Sequence, residues 1–374
     1  MRILRVVHRL YPPTIGGISS YAHFLSADQA KAGHRVVVLT ALEGGYPEHE
    51  FRDGYEIFRS RALAWPWKNP LTLEMLPKLI SYGDDDFDIL DAHSHLMFTT
   101  NLAAFRKRFS MNPFVITNHG FRVKRHVSLD VTQAIYLATL GRWTLNSADY
   151  VVSLTRNERR KVISAGVPPG KAIVILSGVN TQLFRPHGSQ KISHSVLWTG
   201  RYVAEKGLHF LLQAAKMVTA RFPDARFLLV GDGEEASRLL RLRQEMNLVG
   251  SVVFASPRSQ EEIVDLLNEC TLFALPSLSE GFPMSVLEAM SCGKPVVVTS
   301  GIGLEEVVGD AGIYARPGDP CSLAKAIMTI LGDEELGARL GSRGRERVTR
   351  YYEWDNVVSS VNSLFEKAIK EKRS

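Results

Sequence analysis

The chain has 374 residues, long for one hydrophobic core and comfortable for two, and its 45% hydrophobic and 22% charged composition is ordinary for a globular protein. Three scattered cysteines, Cys270, Cys292 and Cys321, argue against a disulfide framework or a zinc site and fit a reducing, cytoplasmic setting. The net charge of +6 is uneven: residues 1–185 carry 23 Lys and Arg against 15 Asp and Glu, and residues 186–374 carry 22 against 24.

The opening MRILRVVHRLYPP is not expected to be a signal peptide, because Arg2, Arg5 and Arg9 interrupt a short apolar stretch. No apolar run approaches the ~18 residues a membrane span needs, so a membrane would be met only at its surface. Short apolar runs rich in β-branched residues alternate with amphipathic stretches, the pattern of parallel βαβ units. In the first half, strands are predicted at residues 3–7, 35–40, 89–92, 114–117 and 150–154. Helices are predicted at 19–32, ended by Gly33, and at 129–146. An acidic run, Asp84-Asp85-Asp86-Phe87-Asp88, precedes its strand and reads as a solvated turn. The basic excess gathers in Arg106, Lys107 and Arg108 and in Arg122, Lys124, Arg125 and His126, interleaved with Phe105, Phe109, Phe114 and Phe121. Such a field fits an anionic partner (nucleic acid, lipid headgroups or a phosphorylated acceptor) as well as it fits a plain solvated face.

The half closes with residues 173–176 and the turn-rich SGVNTQLFRP. Residues 187–194 are polar, lack periodicity and read as a linker, after which the pattern restarts with a strand at 195–199. Helices are predicted at 208–220, 234–246, 260–268 and 284–292, and strands at 226–230, 251–255, 272–276 and 295–299. Helices near 321–331 and 334–348 and an amphipathic tail at 354–370 complete the chain. Two doubly wound α/β domains in tandem would bind ligands at the carboxyl ends of their strands.

The strongest local signal is LFALPSLSEGFPMSVLEAMSCGKPVVVT, residues 272–299. A strand ends at Pro276, a polar loop carries Glu280-Gly281-Phe282, and Pro283 is expected at the first helical position, where its missing N–H costs nothing. The helix then aims its amino-terminal amides into the loop, where an anion is held readily. Glu280 lies outside this helix and Glu288 inside it.

SEGFPMSVLEAM resembles the paired-glutamate signature of retaining GT-B glycosyltransferases, above all glycosyltransferase family 4. The resemblance runs along nearly the whole chain: YPPTIGGISSYAHFLSADQAKAGHRVVVLT, DILDAHSH, ITNHG, ILSGVNTQLFRP, VLWTGRYVAEKGLHFLLQA and LLVGDGEE follow in the family's order. It implies two Rossmann-like domains facing a central cleft, residues 1–186 and 187–350. The closing segment, residues 351–374, would cross back onto the first.

The family's roles carry over residue by residue. Arg201 and Lys206, at the end of the second domain's first strand, would hold the donor diphosphate, where a leaving nucleotide gathers negative charge. Gly16 and Gly17 would approach the same diphosphate through their backbone, although a plain tight turn also accounts for them. The resemblance assigns Glu280 and His119 to the reacting sugar as the catalytic pair. Gly281, Phe282, Pro283 and Met284 would face sugar and phosphate, and Glu288 the ribose. Ser256, Pro257 and Arg258 would lie near the nucleobase. His93 and His95 line the acceptor side or serve structure.

Lookalikes are set aside on chemistry. Gly231-Asp232-Gly233-Glu234-Glu235-Ala236 imitates a dinucleotide fingerprint, but its carboxylates would repel a pyrophosphate. Two departures from the family pattern stand out: Ser177-Gly178-Val179-Asn180 replaces Asn-Gly-Val-Asp, and Ala255-Ser256-Pro257-Arg258 lacks a usual glycine, which leaves the base open. No metal or other cofactor is expected. The implied substrates are a nucleotide-diphosphate sugar, UDP or GDP, and a sugar or lipid-linked acceptor. An anionic membrane surface is a candidate partner and nucleic acid is not. The rival readings are a nucleotide-sugar epimerase on the same fold and an inactive membrane- or nucleic-acid-binding relative.

Overall fold

The computed structural model describes residues 1–14, 16–121, 127–188 and 192–373, and of residues 127–131 the backbone alone. The chain forms two compact units, Met1–Leu176 with Asn356–Ser374, and Ser177–Asp355.

The first unit is built on β1 (Arg2–Val6), α1 (Gly17–Lys31), β2 (Arg35–Ala41), β3 (His49–Arg52), β4 (Tyr55–Ser60), α2 (Met75–Ser81) and β5 (Ile89–His93). It continues with α3 (Phe98–Lys107), β6 (Phe114–Asn118), α4 (Val127–Ala138), α5 (Leu140–Ser147), β7 (Tyr150–Ser153), α6 (Arg156–Ser164) and β8 (Ala172–Val174). Its eight strands lie in the order β3-β4-β2-β1-β5-β6-β7-β8, all parallel except β3. β5 and β6 are buried along their whole length, as expected of strands covered on both faces. The strand order reverses between β1 and β5, so loops following these neighbours diverge and leave a crevice at their carboxyl ends.

The second unit runs through β9 (Ser195–Arg201), α7 (Leu208–Arg221), β10 (Arg226–Asp232), α8 (Ala236–Glu245), β11 (Val252–Ala255), α9 (Gln260–Glu269) and β12 (Leu272–Leu275). Then come α10 (Met284–Ser291), β13 (Val296–Thr299), α11 (Glu305–Val308), β14 (Gly312–Ala315), α12 (Pro320–Leu331) and α13 (Glu334–Tyr351). Its sheet order is β11-β10-β9-β12-β13-β14, with the reversal between β9 and β12. The tail, α14 (Trp354–Arg373), begins in this unit and runs into the first. There Asn362 accepts from Gln29 (2.7 Å), Glu371 accepts from Tyr150 (2.5 Å), and Lys372 and Arg373 pair with Asp149 and Asp88. No described helix is long and apolar enough to cross a membrane.

The units divide at Leu176/Ser177 and Asp355/Asn356 instead of at 186/187 and 350/351. The backbone of Val179 donates to Tyr352 O (2.8 Å) and accepts from Trp354 N (3.1 Å), which ties residues 177–186 into the second unit. Asn180 closes the turn in this crossing: its Oδ1 accepts from the amides of Gln182 (3.0 Å) and Leu183 (2.9 Å).

Other expectations need correction. The single helix at 129–146 is two, broken at Thr139, whose φ of −118° and ψ of −99° leave the helical region. Gly141 then packs against Tyr136 so closely that a Cβ would sit 2.8 Å from the ring, while the Tyr136 hydroxyl donates to His95 O (2.6 Å). The β3–β4 hairpin turns on Asp53 and Gly54, both at positive φ, as a type I′ turn requires. The acidic run is a turn, but a tethered one. Asp84 accepts from Ser110 Oγ (2.6 Å), the Met111 amide (2.8 Å) and Arg106 (3.3 Å), fastening the α3–β6 connection.

The basic stretch is also reassigned. Arg106 is buried and donates to Leu79 O (3.2 Å) and Tyr82 O (2.7 Å). Lys107 pairs with Asp149 (3.1 Å) and donates to Asn112 O (2.6 Å). Phe114 is in the core. Of the 106–108 trio only Arg108 is exposed, so this segment is no basic face for a bilayer. Arg122, Lys124, Arg125 and His126 lie outside the described residues.

Arg345 of α13 holds the second unit's entry. Its guanidinium donates to Thr181 O (3.1 Å), Phe184 O (2.9 Å) and Ser291 O (2.8 Å), joining the crossing to the end of α10. Arg345→Met should lower stability by about 2–3 kcal/mol, since three carbonyls lose a charged donor. The expected result is a lower urea midpoint with an unchanged slope.

Candidate functional site

In the second unit the chemistry collects where the strand order reverses. β9 ends at Arg201, which is exposed and forms no ion pair among the described residues. Three residues on, the chain makes one tight turn at Ala204–Lys206 and enters α7 through Gly207. Gly207 stands at φ 64°, and a Cβ there would collide with the carbonyl of Pro276 at the end of β12. That clash explains the glycine: it lets the loops after β9 and β12 lie in contact. Leu278 N then donates to Glu205 O (2.8 Å).

This approach places Lys206 Nζ 2.6 Å from Glu280 Oε1, in an ion pair with 19% and 7% of the two side chains exposed. Ser277 Oγ donates to the same oxygen (2.6 Å), and Thr299 of β13 donates to Ser277 O (2.5 Å). Glu280 is therefore held from two sides.

Pro283 is the residue before α10 and not its first member, with φ −88° and ψ 73°. The displacement changes which amides are free. Met284 N bonds Phe282 O (3.1 Å), and Val286 N and Leu287 N return to Pro283 O (3.1 and 3.2 Å). Ser285 is left as the first-turn amide with no partner among the described residues, so the site for an anion is narrower than a whole helix end. Gly281, Phe282 and Met284 are partly exposed along this loop, and Pro283 is buried.

Glu288 sits on the second turn of α10 without an ion-pair partner among the described residues. Burial pushes its carboxyl up to about 7. Ser256, Pro257 and Arg258 form an exposed loop after β11, where Arg258 pairs with Glu262 (3.2 Å) of the α9 capping box. The Gly231-Asp232-Gly233 turn serves structure: Cβ atoms on either glycine would strike the backbone of Gly200 and Tyr202, and Tyr202 N donates to Asp232 O (2.8 Å).

In the first unit, Gly16 caps α1 in an extended conformation and Gly17 opens the helix with nothing near the position a Cβ would take. His119 follows β6 and is partly open to solvent. It touches His93, the last residue of β5, with 3.0 Å between His119 Nε2 and His93 Nδ1. Behind His93 lie two groups that the sequence did not single out. Asp91 Oδ2 is 3.2 Å from His93 Nε2, and Arg5 Nε of β1 donates to the same oxygen (2.7 Å). Burial opposes ionisation of Asp91, but His93 and Arg5 overcome it and hold its pKa at about 2. Burial, reinforced by His93 and His8, keeps His119 well below the ordinary histidine value, and hence neutral. His95 is fully buried, and burial lowers it to about 4. A signal for the hidden pair did exist: one arginine and one aspartate, each inside an otherwise apolar strand. Among the described residues, no group of three or more His, Cys, Asp and Glu side chains is placed to hold a metal ion.

Comparison with known proteins agrees across the chain. Residues 15–183 match the family model described as Glycosyltransferase Family 4, and residues 179–347 match Glycosyl transferases group 1. The chain is 27% identical to an uncharacterised glycosyltransferase of Methanocaldococcus jannaschii, over 99% of each sequence. Among solved structures, it is similar to a sucrose-phosphate synthase from Thermosynechococcus elongatus, with a TM-score of 0.82, 23% identity and coverage of 99% and 100%. Anabaena HepE in complex with UDP matches with a TM-score of 0.79 and 21% identity, over 98% and 100% of the two chains.

Glu288 provides a test that needs no substrate. Its folded pKa of about 7 exceeds the ordinary glutamate value of 4.5, so the folded protein favours the protonated form. The wild type therefore loses stability relative to Glu288→Gln as pH rises from about 4.5 to about 7. The gap should reach about 1–3 kcal/mol above that window and vanish below it. Thermal unfolding of the two proteins across pH 4–8 measures the difference.

Proposed function

Because the chain belongs to glycosyltransferase family 4 and has the two-domain GT-B fold of sugar-transferring enzymes, we propose that it moves a sugar from a nucleotide-diphosphate donor to a sugar or lipid-linked hydroxyl, with retention and without a metal ion. The observation that carries this reading is the Lys206–Glu280 pair at the strand-order reversal of the second unit. Lys206 and the exposed Arg201 supply positive charge where the departing diphosphate becomes more negative, and the Ser285 amide adds a neutral donor. Gly16 and Gly17 offer the diphosphate a bare backbone. Glu288, as a carboxylate, accepts from the ribose hydroxyls. Ser256, Pro257 and Arg258 lie towards the base, and UDP is favoured by analogy with HepE, whose structure was determined with that nucleotide.

Retention by front-face attack fits the state of Glu280. A double displacement needs a carboxylate free to attack the anomeric carbon. Glu280 Oε1 already accepts from both Lys206 and Ser277, which fixes the carboxylate as a partner that orients the sugar. The acceptor hydroxyl then gives its proton to the departing phosphate oxygen, while Glu280 and His119 hold the sugar. An epimerase would need an acid/base pair on the sugar ring, and His119 alone does not make one. An inactive relative would have no use for Arg201, Lys206 and Glu280 together. The protein meets its acceptor in the cytoplasm, and a lipid-linked acceptor would bring it to the inner membrane face.

Two measurements test the proposal. Lys206→Ala should weaken binding of the bare nucleoside diphosphate roughly tenfold, the low end of the range for a charge-assisted hydrogen bond, because Lys206 must first share its contact with Glu280. Glu280→Ala should release Lys206, leave nucleotide affinity equal or tighter, and abolish most transfer. Calorimetry showing that Glu280→Ala loses the nucleotide while Lys206→Ala keeps it would reverse the two roles. Separately, turnover of a nucleotide-sugar panel should persist in excess EDTA. Activity lost on chelation and restored by magnesium or manganese would refute the metal-free reading.

A further inference from the structure

The first unit contains a line of polar side chains that a two-faced parallel sheet would ordinarily exclude. It starts at His119, passes through His93 to Asp91, and reaches Arg5, all but His119 fully buried. Arg5 and Asp91 are direct partners in the β1–β5 register. Arg5 also donates to Ser26 Oγ (2.6 Å) and Gln29 Oε1 (2.7 Å) of α1, and Gln29 donates onward to Asn362 of α14. Stability alone does not account for such a pair, because well-packed apolar residues usually serve a core as well or better. The arrangement does impose something else, which is direction.

An ionised carboxylate only accepts, so the proton of a neutral His93 belongs on Nε2, 3.2 Å from Asp91 Oδ2. The contact is electrostatic and not a full hydrogen bond. His93 Nδ1 then carries a lone pair. His119 Nε2, 3.0 Å away, must be the donor to it. The remaining nitrogen of a neutral His119, Nδ1, is left as an acceptor. A nitrogen lone pair welcomes a hydroxyl group and repels phosphate oxygen.

We propose that Asp91 and His93 are positioning residues that fix the tautomer of His119, so that its Nδ1 accepts a hydrogen bond from a hydroxyl of the bound sugar. The inference rests on the reading that His119 faces the sugar, and it deepens that reading: it states which atom makes the contact and what kind of group it recognises. Burial of His93 and His119, which disfavours their charged forms, agrees with neutral rings throughout.

Nitrogen-15 histidine spectra of the unliganded protein at neutral pH read the tautomer without any need for turnover. Wild-type His119 should carry its proton on Nε2. His93→Leu removes the acceptor and should redistribute that proton. His93→Gln should restore the wild-type pattern, its amide nitrogen facing Asp91 and its oxygen facing His119. In transfer assays, His93→Leu should lower kcat/KM roughly five- to tenfold, the worth of one misdirected hydrogen bond, with bare nucleotide affinity unchanged, and His93→Gln should recover most of the loss. A wild-type proton on Nδ1, or a proton that stays on Nε2 in His93→Leu, overturns the proposal. So does an equal loss of kcat/KM in the leucine and glutamine variants. Asp91→Asn should leave the direction of the relay in place in the same spectra, since Arg5 holds the amide oxygen at the point that also faces His93; if it fails to fold because Arg5 loses its ionic partner, the two His93 variants still decide. A protein with the predicted tautomers but no transfer from any nucleotide sugar would sink the functional reading and leave the relay standing.

Discussion

The Lys206–Glu280 contact, 2.6 Å long, depends on two loops meeting across a reversal of strand order. Much of the surrounding sequence exists to permit that meeting. Gly207 removes the Cβ that would strike Pro276, the Glu205 carbonyl takes the Leu278 amide, and Thr299 fixes the Ser277 carbonyl so that the serine hydroxyl reaches Glu280. Partly buried ion pairs of this kind contribute little net stability once desolvation is counted. What they supply is charge whose position needs no rearrangement when a ligand arrives, and this is where most electrostatic catalysis originates.

The two units apply the same topology to different ends. In the second, charge stands at the rim: Arg201 is exposed and Lys206 partly so. In the first, charge is sunk beneath the rim, with Arg5 and Asp91 inside the sheet and only His119 reaching partly into solvent. A buried pair has weak coupling to salt and solvent, so its influence is passed along hydrogen bonds as polarity instead of being felt as a field. Both arrangements lie at carboxyl ends of parallel strands near a reversal, the one place in such a sheet where adjacent loops leave room.

Legibility followed the same division. Strands β9, β10 and β12 show in the sequence as short apolar runs, because strands covered on both faces cannot alternate. The β12–α10 loop shows because Gly, Pro and acidic residues crowd between a strand and a helix. The β3–β4 hairpin announces itself only in Asp53-Gly54; its strands, HEFR and YEIFRS, are too polar to read as strands at all. Arg5–Asp91 stays hidden because 86 residues separate its partners, and each looks like a lone charge in an apolar run. The 106–108 cluster misleads for the converse reason. Counting charges assumes that they face water, whereas Arg106 and Lys107 spend theirs on carbonyls and on Asp149.

The β12–α10 segment also shows why an unliganded site need not be a passive one. Lys206 is occupied by Glu280, Glu288 is protonated up to about pH 7, and the first turn of α10 has tightened around Pro283 until, among the described residues, Ser285 keeps its free amide. On the proposed reading, each of these states resists the donor slightly. A diphosphate must share the lysine with a carboxylate, and ribose hydroxyls are received best once Glu288 has given up its proton. Donor affinity should thus rise with pH up to about 7 and level off beyond it, because binding and deprotonation of Glu288 favour each other. On that same reading, the site prefers the complete donor over its fragments. The bare diphosphate meets the cost of parting Lys206 from Glu280, and only the attached sugar gives Glu280 a new partner in return.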